Sequence, residues 1–495
     1  MRTSLSVLAV LLLAAPPARA QEPVVSTSAE SRGVSLTVYN QGFAIVRERR
    51  EIPLAAGLNR VRYQDVAALI EAPTVSIQSA TLPGGVSVRE QNYQYDLIGT
   101  NAILEKSVGR TVRFRRTMPD GRVEVVEGTL LSAPSQGMVV RTSDGRLLLN
   151  PHGEVEVAEM PGGLISRPSL FWLLHSARSG PQTLEVSYLT QGLRWSADYV
   201  AVVDSAETAV DLTGWVTLDN RSGTAYPEAQ LQLLAGSVRR VTPAVMGRQA
   251  IALEDVVVTG AAAGAPQFAQ EAFFEYHLYT LDGRTTLANN ETKQMTLLTA
   301  ADAGVRRQLV FDSRRAWGWI AQPGAGFRTN EVRGAIMLEL RNARENGMGM
   351  PLPAGIVRLY KADARGNLQF LGEDRIDHTP RDEMVRLYVG DAFDVVATRR
   401  TVSERRLRLD RRGGEIEIVG PLCRTCRDAW EFTQEIVIRN HKDTPADVLV
   451  TDHLGNQWEL VSQSHPHRRT DASTLEFELR VPANSEVTVT YTARI

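Results

Sequence analysis

The stretch Glu486-Val-Thr-Val-Thr-Tyr-Thr492 decides the fold class, because apolar and polar side chains alternate along it. Alternation with a period of two is typical of a β-strand with one buried face. The same period recurs at residues 35–39, 186–188, 296–298 and 335–340, with Asp-Gly and Gly-Gly turn signals between such stretches. The sequence therefore predicts a mainly-β protein of several β-sandwich or immunoglobulin-like modules, a small inserted β-barrel and few short helices.

One segment and one residue type stand out against this pattern. Residues 168–177 are the best helix candidate, because Pro168 suits the first position of a helix.

Asn220, Asn342 and Asn440 each end a predicted strand and precede turn-rich residues. Asparagine suits such places because it bonds nearby backbone and tolerates left-handed φ and ψ. This weak internal repeat favours stacked sandwich modules.

The first twenty residues have the pattern of a secretory signal peptide. Arg2 precedes an apolar run at residues 5–15, and Ala18-Arg19-Ala20 is a small-x-small cleavage motif. The apolar run is shorter than the ~20 residues that span a bilayer, and no other segment has an apolar run of spanning length. We expect a protein without a transmembrane segment, periplasmic or secreted, after cleavage near Ala20.

Turn signals and composition divide the rest of the chain into four parts. Residues 21–100 are predicted to form an N-terminal β domain. Residues 101–160 are predicted to form a small β-barrel of the SH3 or Sm-like type, because short strands alternate there with tight turns. Residues 161–412 form a central β-sandwich region with a mobile loop over residues 246–273. Residues 413–495 form a C-terminal immunoglobulin-like sandwich.

Charge and cysteine content restrict the chemistry. The formal net charge is −2, from 55 basic and 57 acidic side chains, which provides no electrostatic footprint for nucleic acid. Cys423 and Cys426 are the two cysteines and are spaced C-x-x-C between strand-like segments. A disulfide suits an oxidising compartment; a redox-active dithiol and a zinc site with further ligands stay open. We expect a disulfide, no cofactor and no bound metal.

Two polar groups of residues are candidate catalytic sites. The sequence lacks the motifs of serine hydrolases, zinc proteases, phosphate-binding loops and calcium loops. His277 precedes an Asp-Gly turn that Glu291 and Lys293 follow, so flanking strands would bring them together. Asp374 and His378 lie in an acidic stretch near predicted strand ends. A histidine beside a carboxylate suits general-base or metal chemistry, and the structural alternative is strand-end hydrogen bonding and ion pairing.

The second half of the chain resembles a family of exported bacterial proteins of unknown function, whose C-terminal domain also occurs in mucoidy-inhibitor-like proteins. The resemblance covers about residues 180–495. The motifs that carry it are Tyr188-Leu-Thr-Gln-Gly-Leu-Arg-Trp-Ser-Ala-Asp-Tyr199, Gly214-Trp-Val-Thr-Leu-Asp-Asn-Arg-Ser-Gly223, Tyr276-His-Leu-Tyr279, Asn290-Glu-Thr-Lys293, Pro351-Leu-Pro-Ala-Gly355, and Gly372 to Pro380 with Gly390-Asp-Ala-Phe-Asp394. Mucoidy-inhibitor-like relatives carry a coiled coil where this sequence has the barrel-like segment. The resemblance implies a β-rich exported protein and no specific activity.

Two functions fit these observations. The first is a non-enzymatic envelope structural or interaction protein, acting through its β-domain surfaces on an envelope protein or polysaccharide. The second is a periplasmic hydrolase, with or without a metal, acting on an envelope polymer. The hydrolase would need His277, Glu291, Asp374 or His378 to lie within reach of one another. The sequence favours the first function and leaves enzymatic activity uncertain.

Overall fold

The structure is a computed structural model. It describes residues 22–94, 98–117, 121–133, 135, 137–241, 267–316, 330–409, 427–455 and 458–495. The predicted signal peptide and the predicted disulfide between Cys423 and Cys426 lie outside the described residues.

Strands make up most of the described chain, which confirms the mainly-β prediction. In chain order the first elements are β1 Val24–Ser26, β2 Ser31–Tyr39, β3 Phe43–Leu54, β4 Gly57–Gln64, β5 Ser76–Ser79, β6 Val86–Gln94, α1 Thr100–Lys106, β7 Thr111–Thr117, β8 Val123–Ser132, β9 Val139–Thr142, β10 Leu147–Leu149, β11 Glu154–Val157, β12 Ser169–Ser176, β13 Gly180–Gln191, β14 Leu193–Val203, β15 Ala209–Asn220 and β16 Tyr226–Ala235. They are followed by β17 Phe268–Phe273, β18 Tyr276–Leu281, β19 Thr285–Leu287, β20 Glu291–Asp312, α2 Ser313–Ala316, β21 Asn330–Arg341, β22 Gly355–Ala362, β23 Leu368–Ile376, β24 Met384–Leu409, β25 Arg427–Asn440, β26 Ala446–His453, β27 Glu459–Gln463, β28 Arg468–Arg469, β29 Thr474–Val481 and β30 Ser485–Arg494. Short 3₁₀ turns cover Ser28–Glu30, Ala72–Thr74 and Arg344–Asn346.

The chain divides into two compact units that are each discontinuous in sequence. The first unit consists of Met1–Arg194, Asp219–Gln232 and Gly283–Glu291, and the second of Trp195–Leu218, Leu233–Asp282 and Thr292–Ile495. The finer division at residues 100, 160 and 412 stays a prediction.

Two sheets of the first unit face each other across a buried core. One has the strand order β1-β4-β12-β6, and in the other β16, β2, β3, β13 and β5 are neighbours in that order. The guanidinium carbon of Arg50 in β3 lies 3.7 Å from the ring centre of Tyr63 in β4. This contact connects the inner face of one sheet with that of the other. Alternate side chains fill the space between the sheets, among them Leu36, Val38, Val46, Ile52, Leu170, Trp172, Leu184 and Val186. This packing is that of a β-sandwich.

The predicted helix over residues 168–177 is wrong, because Ser169–Ser176 is the strand β12. Leu170, Trp172 and Leu174 are buried and alternate with more exposed side chains, which is the period of a strand. β12 pairs antiparallel with β4 on one side and with β6 on the other. Hydrogen-bond ladders on both sides outweigh the local preference of a proline for a helix start.

Residues 111–157 form a five-stranded antiparallel sheet in the order β10-β9-β8-β7-β11. Leu104 of α1 packs into its small core with Val112, Phe114, Leu130 and Val140. Within the described residues the edge strands β10 and β11 pair with β9 and β7 and not with each other. The predicted short strands and tight turns are therefore confirmed, and the predicted closure into a barrel is wrong.

A long sheet runs through the second unit in the order β23-β22-β14-β15-β20-β21-β24-β25-β30-β27. β26 pairs in parallel with the end of β20 and antiparallel with β29, and so adds a second layer at the C-terminal end. The core there includes Leu309, Phe311, Ile436, Phe477 and Tyr491. Two layers around one core make this region sandwich-like.

The mobile loop predicted over residues 246–273 is wrong at its C-terminal end. Phe268–Phe273 is the strand β17, which pairs antiparallel with β18 from Phe268 opposite Leu281 to Phe273 opposite Tyr276. Residues 246–266 lie outside the described residues. Cross-strand hydrogen bonds therefore order a segment whose composition alone suggested a loop.

The three strand-ending asparagines share a structural role. Asn220, Asn342 and Asn440 are at most 1% exposed. The Nδ2 of Asn440 donates to the carbonyl of Thr444 at 2.9 Å, and its Oδ1 accepts the N–H of Lys442 at 3.1 Å. Asn220 and Asn342 make equivalent pairs of bonds. None of the three has a positive φ, so the repeat reflects buried amides that satisfy turn backbone rather than left-handed conformations.

Candidate functional site

Of the five candidate site residues, His277 and His378 lie near enough for the charge of one to act on the other. His277 lies on β18, and its Nδ1 is 3.1 Å from the Nε2 of Gln270 on the neighbouring strand β17. His378 follows β23, and its Nδ1 accepts the backbone N–H of Ala354 at 3.1 Å. Burial lowers the pKa of His378, and the nearby His277 lowers it further, whereas Asp377 acts in the opposite direction. The neutral form of His378 is therefore favoured.

The hydrogen bonds of this pair limit its chemistry. A neutral imidazole whose Nδ1 accepts a hydrogen bond carries its proton on Nε2. The lone pair that His378 would need as a general base is therefore already engaged by the N–H of Ala354. Gln270 occupies the corresponding nitrogen of His277. The ring of His378 is therefore poorly placed to abstract a proton through Nδ1.

The other three candidates are engaged in structural contacts. Glu291 accepts the N–H of Ala288 at 2.6 Å and so closes its own turn. Asp374 accepts the N–H of Tyr388 at 2.7 Å, which ties the edge strand β23 to β24. Lys293 lies half-buried on β20 and interacts with other groups. Glu291 belongs to the first unit, whereas the other four candidates belong to the second.

Among the described residues, no three histidine, cysteine or carboxylate side chains are arranged to hold a metal ion. His277 and His378 together would provide two ligands, whereas a structural zinc site takes four and a catalytic site three.

A buried polar cluster in the first unit escaped the sequence analysis. The Nη2 of Arg50 donates to Oε2 of Glu48 at 2.8 Å, and the hydroxyl of Tyr63 donates to the same oxygen at 2.8 Å. The Arg50 side chain is 1% exposed and that of Glu48 8%. Burial raises the pKa of Tyr63 well above its ordinary value, and the Glu48 carboxylate raises it further. The signal was present in β3, where both charged residues occupy inward-facing positions.

The second unit repeats this arrangement with different elements. The Nη2 of Arg399 on β24 lies 3.0 and 2.9 Å from the two carboxylate oxygens of Asp452 on β26. The hydroxyl of Tyr491 on β30 donates to the same carboxylate at 2.5 Å. Burial alone would lower the pKa of Arg399, but the Asp452 carboxylate and Tyr491 raise it above its ordinary value. In each cluster one carboxylate balances the charge of one guanidinium group, which fits a structural role.

Each unit also contains a small cavity. The first is bordered by Ser28, Glu48, Arg50, Asp65 and Tyr226. The second lies within the second unit among apolar side chains of six neighbouring strands and the edge strand β23. Each has room for about one water molecule. Neither approaches the size of a pocket for an organic substrate, which is roughly 300–1,000 Å³.

The tip of the β17–β18 hairpin exposes aromatic side chains. Phe273 and Tyr276 face each other across the strands, so Phe274 and Glu275 form the two-residue turn. Phe274 is 87% exposed and Phe273 55%. Phe274 has φ +57°, a left-handed conformation that is unusual for a bulky side chain. A two-residue turn of this kind normally has glycine or asparagine at that place.

No helix among the described residues is long and apolar enough to cross a membrane.

Comparison with known proteins places the second half of the chain in a family. Residues 184–495 match the model of the family described as Domain of unknown function (DUF4139). No curated protein matches the chain. The matched region includes β14 to β30, both histidines of the candidate pair and the Arg399–Asp452–Tyr491 cluster. The chain therefore belongs to the DUF4139 family.

Proposed function

We propose that the chain is an exported protein that binds a partner in the bacterial envelope through exposed surfaces of its β domains. The observation that carries this proposal is the tip of the β17–β18 hairpin. Phe274 combines an 87% exposed phenyl ring with a left-handed backbone. Both features are unfavourable for the isolated fold, and local strain of this kind is concentrated at functional sites. A binding contact would bury the ring and use the strained turn to hold it outward.

The state of the candidate catalytic groups supports binding over catalysis. Asp374 and Glu291 each accept a backbone N–H, and the Nδ1 lone pair of His378 is engaged by Ala354. Catalytic acids and bases need a free site for the substrate proton. These groups instead form hydrogen bonds to the backbone of turns and of neighbouring segments.

Export is supported by the signal-peptide pattern of residues 1–20 and by the resemblance to mucoidy-inhibitor-like proteins. We propose a periplasmic or secreted location and an envelope protein or polysaccharide as partner. The mature protein should begin at Gln21, or at its cyclised form, because Ala18-Arg19-Ala20 provides the small-residue cleavage motif. Intact mass spectrometry of the protein from the periplasm and medium of its host measures this. A mature product that retains Met1 would contradict export by this route.

A second prediction concerns Phe274, whose replacement should preserve or raise the stability of the fold while it abolishes partner binding. Phe274→Asn should leave the free energy of unfolding unchanged or raise it by up to about 1 kcal/mol, because asparagine adopts the left-handed conformation more easily. The same variant should lose partner binding, because the exposed ring is gone. Thermal unfolding measures the first effect. A photo-crosslinking amino acid at position 274, tested in intact cells, measures contact with a partner.

Phe393 provides the matched control. It is 78% exposed on β24 of the same unit, and a crosslinker there should give no specific adduct. A saturable adduct from position 274 that the Phe273→Ser variant weakens would support the proposal. Equal labelling from positions 274 and 393 would refute it.

The proximity of His277 and His378 favours a second candidate function, a periplasmic hydrolase acting on an envelope polymer. The two rings would help to position a polar substrate group, and a metal would need a third ligand from a residue or the substrate. Incubation of the purified protein with peptidoglycan and envelope polysaccharides, with and without zinc, tests this alternative. Lack of turnover under every condition would exclude it for these substrates.

A further inference from the structure

Four segments of the second unit meet around Glu207. The parallel ladder of β14 and β22 places Lys361 opposite Val203, next to the turn that contains Glu207. Val305 of β20 donates its N–H to the carbonyl of Thr208 at 2.9 Å, so β20 passes beside the same turn. β26 runs parallel to β20 with Val448 opposite Leu309, so the loop that precedes β26 lies at the end of this pairing nearer to Arg307. That loop contains Lys442.

Glu207 joins two cations at this place. Its carboxylate lies 2.8 Å from Nζ of Lys361 and 3.1 Å from Nε of Arg307. The three side chains are 26–35% exposed, so the group is partly desolvated but open to solvent. Glu207 has φ +61°, which glycine or asparagine adopts at lower cost. The two ion pairs explain why a glutamate occupies this strained position.

Lys442 adds a third cation without a direct counter-charge. Among the described residues, no carboxylate forms an ion pair with its ammonium group. Burial lowers the pKa of Lys442, and Arg307 lowers it further, whereas Glu207 and Asp394 act in the opposite direction. Asp394 is exposed, so water screens its charge. Three cations are therefore accompanied by one carboxylate, that of Glu207, which forms ion pairs with Arg307 and Lys361.

The residue types are also unusual for this chain. It has four lysines, Lys106, Lys293, Lys361 and Lys442, and its other basic side chains are arginines. Two of the four lysines lie in this cluster. A lysine ammonium is a compact point charge with three donors, and Lys361 uses one of them for Glu207. The remaining donors of the cluster are available to a ligand.

We propose that Arg307, Lys361 and Lys442 form a binding site for a small oxyanion of the phosphate type. The excess positive charge stabilises an anion, and partial burial makes each interaction stronger than on an open surface. The anion is either free inorganic phosphate or the phosphate of a lipid headgroup, which have the same recognition chemistry. The site is separate from the hairpin tip and does not depend on the proposed binding function.

Isothermal titration of the full chain with inorganic phosphate at low ionic strength tests the site, because salt screens such interactions. The parent should bind saturably, and Lys442→Gln should weaken binding by about tenfold or more, since one charged hydrogen bond is lost. Lys106→Gln removes the same charge from α1 of the first unit and should leave the affinity unchanged. A parallel arm measures binding to phosphatidylcholine vesicles with and without phosphatidylglycerol.

Thermal unfolding distinguishes binding from folding defects. Lys442→Gln removes a cation that has no ion pair with any residue that the structure describes, so it should not lower the melting temperature in the absence of phosphate. Phosphate should raise the melting temperature of the parent more than that of the variant. Lys442-dependent binding in either arm supports the proposal and identifies the source of the anion. Lack of saturable binding in both arms, or equal binding by the Lys442→Gln and Lys106→Gln variants, would overturn it.

Discussion

Replacing Asp452 by alanine is expected to lower the free energy of unfolding of the second unit by about 3–5 kcal/mol, the range for a buried ion pair that loses one partner. The Arg399 side chain is 10% exposed, and it would keep its charge without the carboxylate that balances it. The hydroxyl of Tyr491 would lose its acceptor at the same time. A protein with two units need not unfold in one step. The loss of stability in the second unit is therefore best measured by amide hydrogen exchange of peptides from β24, β26 and β30.

Two controls separate the charge from the shape of the side chain. Tyr491→Phe should cost about 1–2 kcal/mol, because one hydrogen bond is lost while the ring stays packed against Phe477. The double variant Arg399→Met with Asp452→Leu should recover most of the loss, because apolar replacements of both partners remove the unpaired charge. A single Asp452→Ala variant as stable as the parent would show that the cluster is not buried in solution.

The second large effect is expected for Arg50→Ala in the first unit. This change leaves the Glu48 carboxylate buried without its cation. It also removes the guanidinium group whose carbon lies 3.7 Å from the ring centre of Tyr63. It also removes a hydrogen bond of 2.8 Å to the carbonyl of Gln64. We expect a loss of about 3–5 kcal/mol in the free energy of unfolding. Hydrogen exchange of peptides from β3 and β4 would measure it.

An exposed ion pair of the same unit provides the matched control. Arg32 and Glu51 lie 3.1 Å apart, with side chains 60% and 42% exposed. Glu51→Ala should change the free energy of unfolding by less than about 1 kcal/mol, because exposed pairs contribute little. Similar losses of unfolding free energy in Arg50→Ala and Glu51→Ala would contradict the prediction that the buried Glu48–Arg50 pair contributes more to stability than an exposed pair.

The candidate site was only partly predictable from the sequence. His277 and His378 were both identified from their neighbours, but their proximity joins residues 101 positions apart on β18 and after β23. Glu291 is a candidate because its strand flanks a turn, and Asp374 because it lies near a predicted strand end. In the structure both carboxylates accept backbone N–H groups. Residue type shows which chemistry is available, whereas only the fold decides whether a neighbouring N–H has already engaged it.

The proposed anion site could likewise be predicted only in part from the sequence. Lys361 and Lys442 are conspicuous as two of four lysines, yet Glu207 and Arg307 have no distinguishing local pattern. Their meeting depends on a parallel ladder between β14 and β22 and another between β20 and β26. Parallel pairing joins segments far apart in sequence, so no local pattern predicts it.

The sequence by itself determined the β class, because a side-chain period of two is a local property of the chain. The sequence also predicts the places of the three asparagines, because Asn220 and Asn440 are the last residues of β15 and β25 and Asn342 directly follows β21. Tertiary structure decided that residues 169–176 extend between β4 and β6, and that the small sheet stays open at β10 and β11. It likewise decided which charged side chains meet inside the sandwiches. These outcomes depend on which distant strand supplies a partner, and hydrogen bonding and burial between distant strands outweigh local preference.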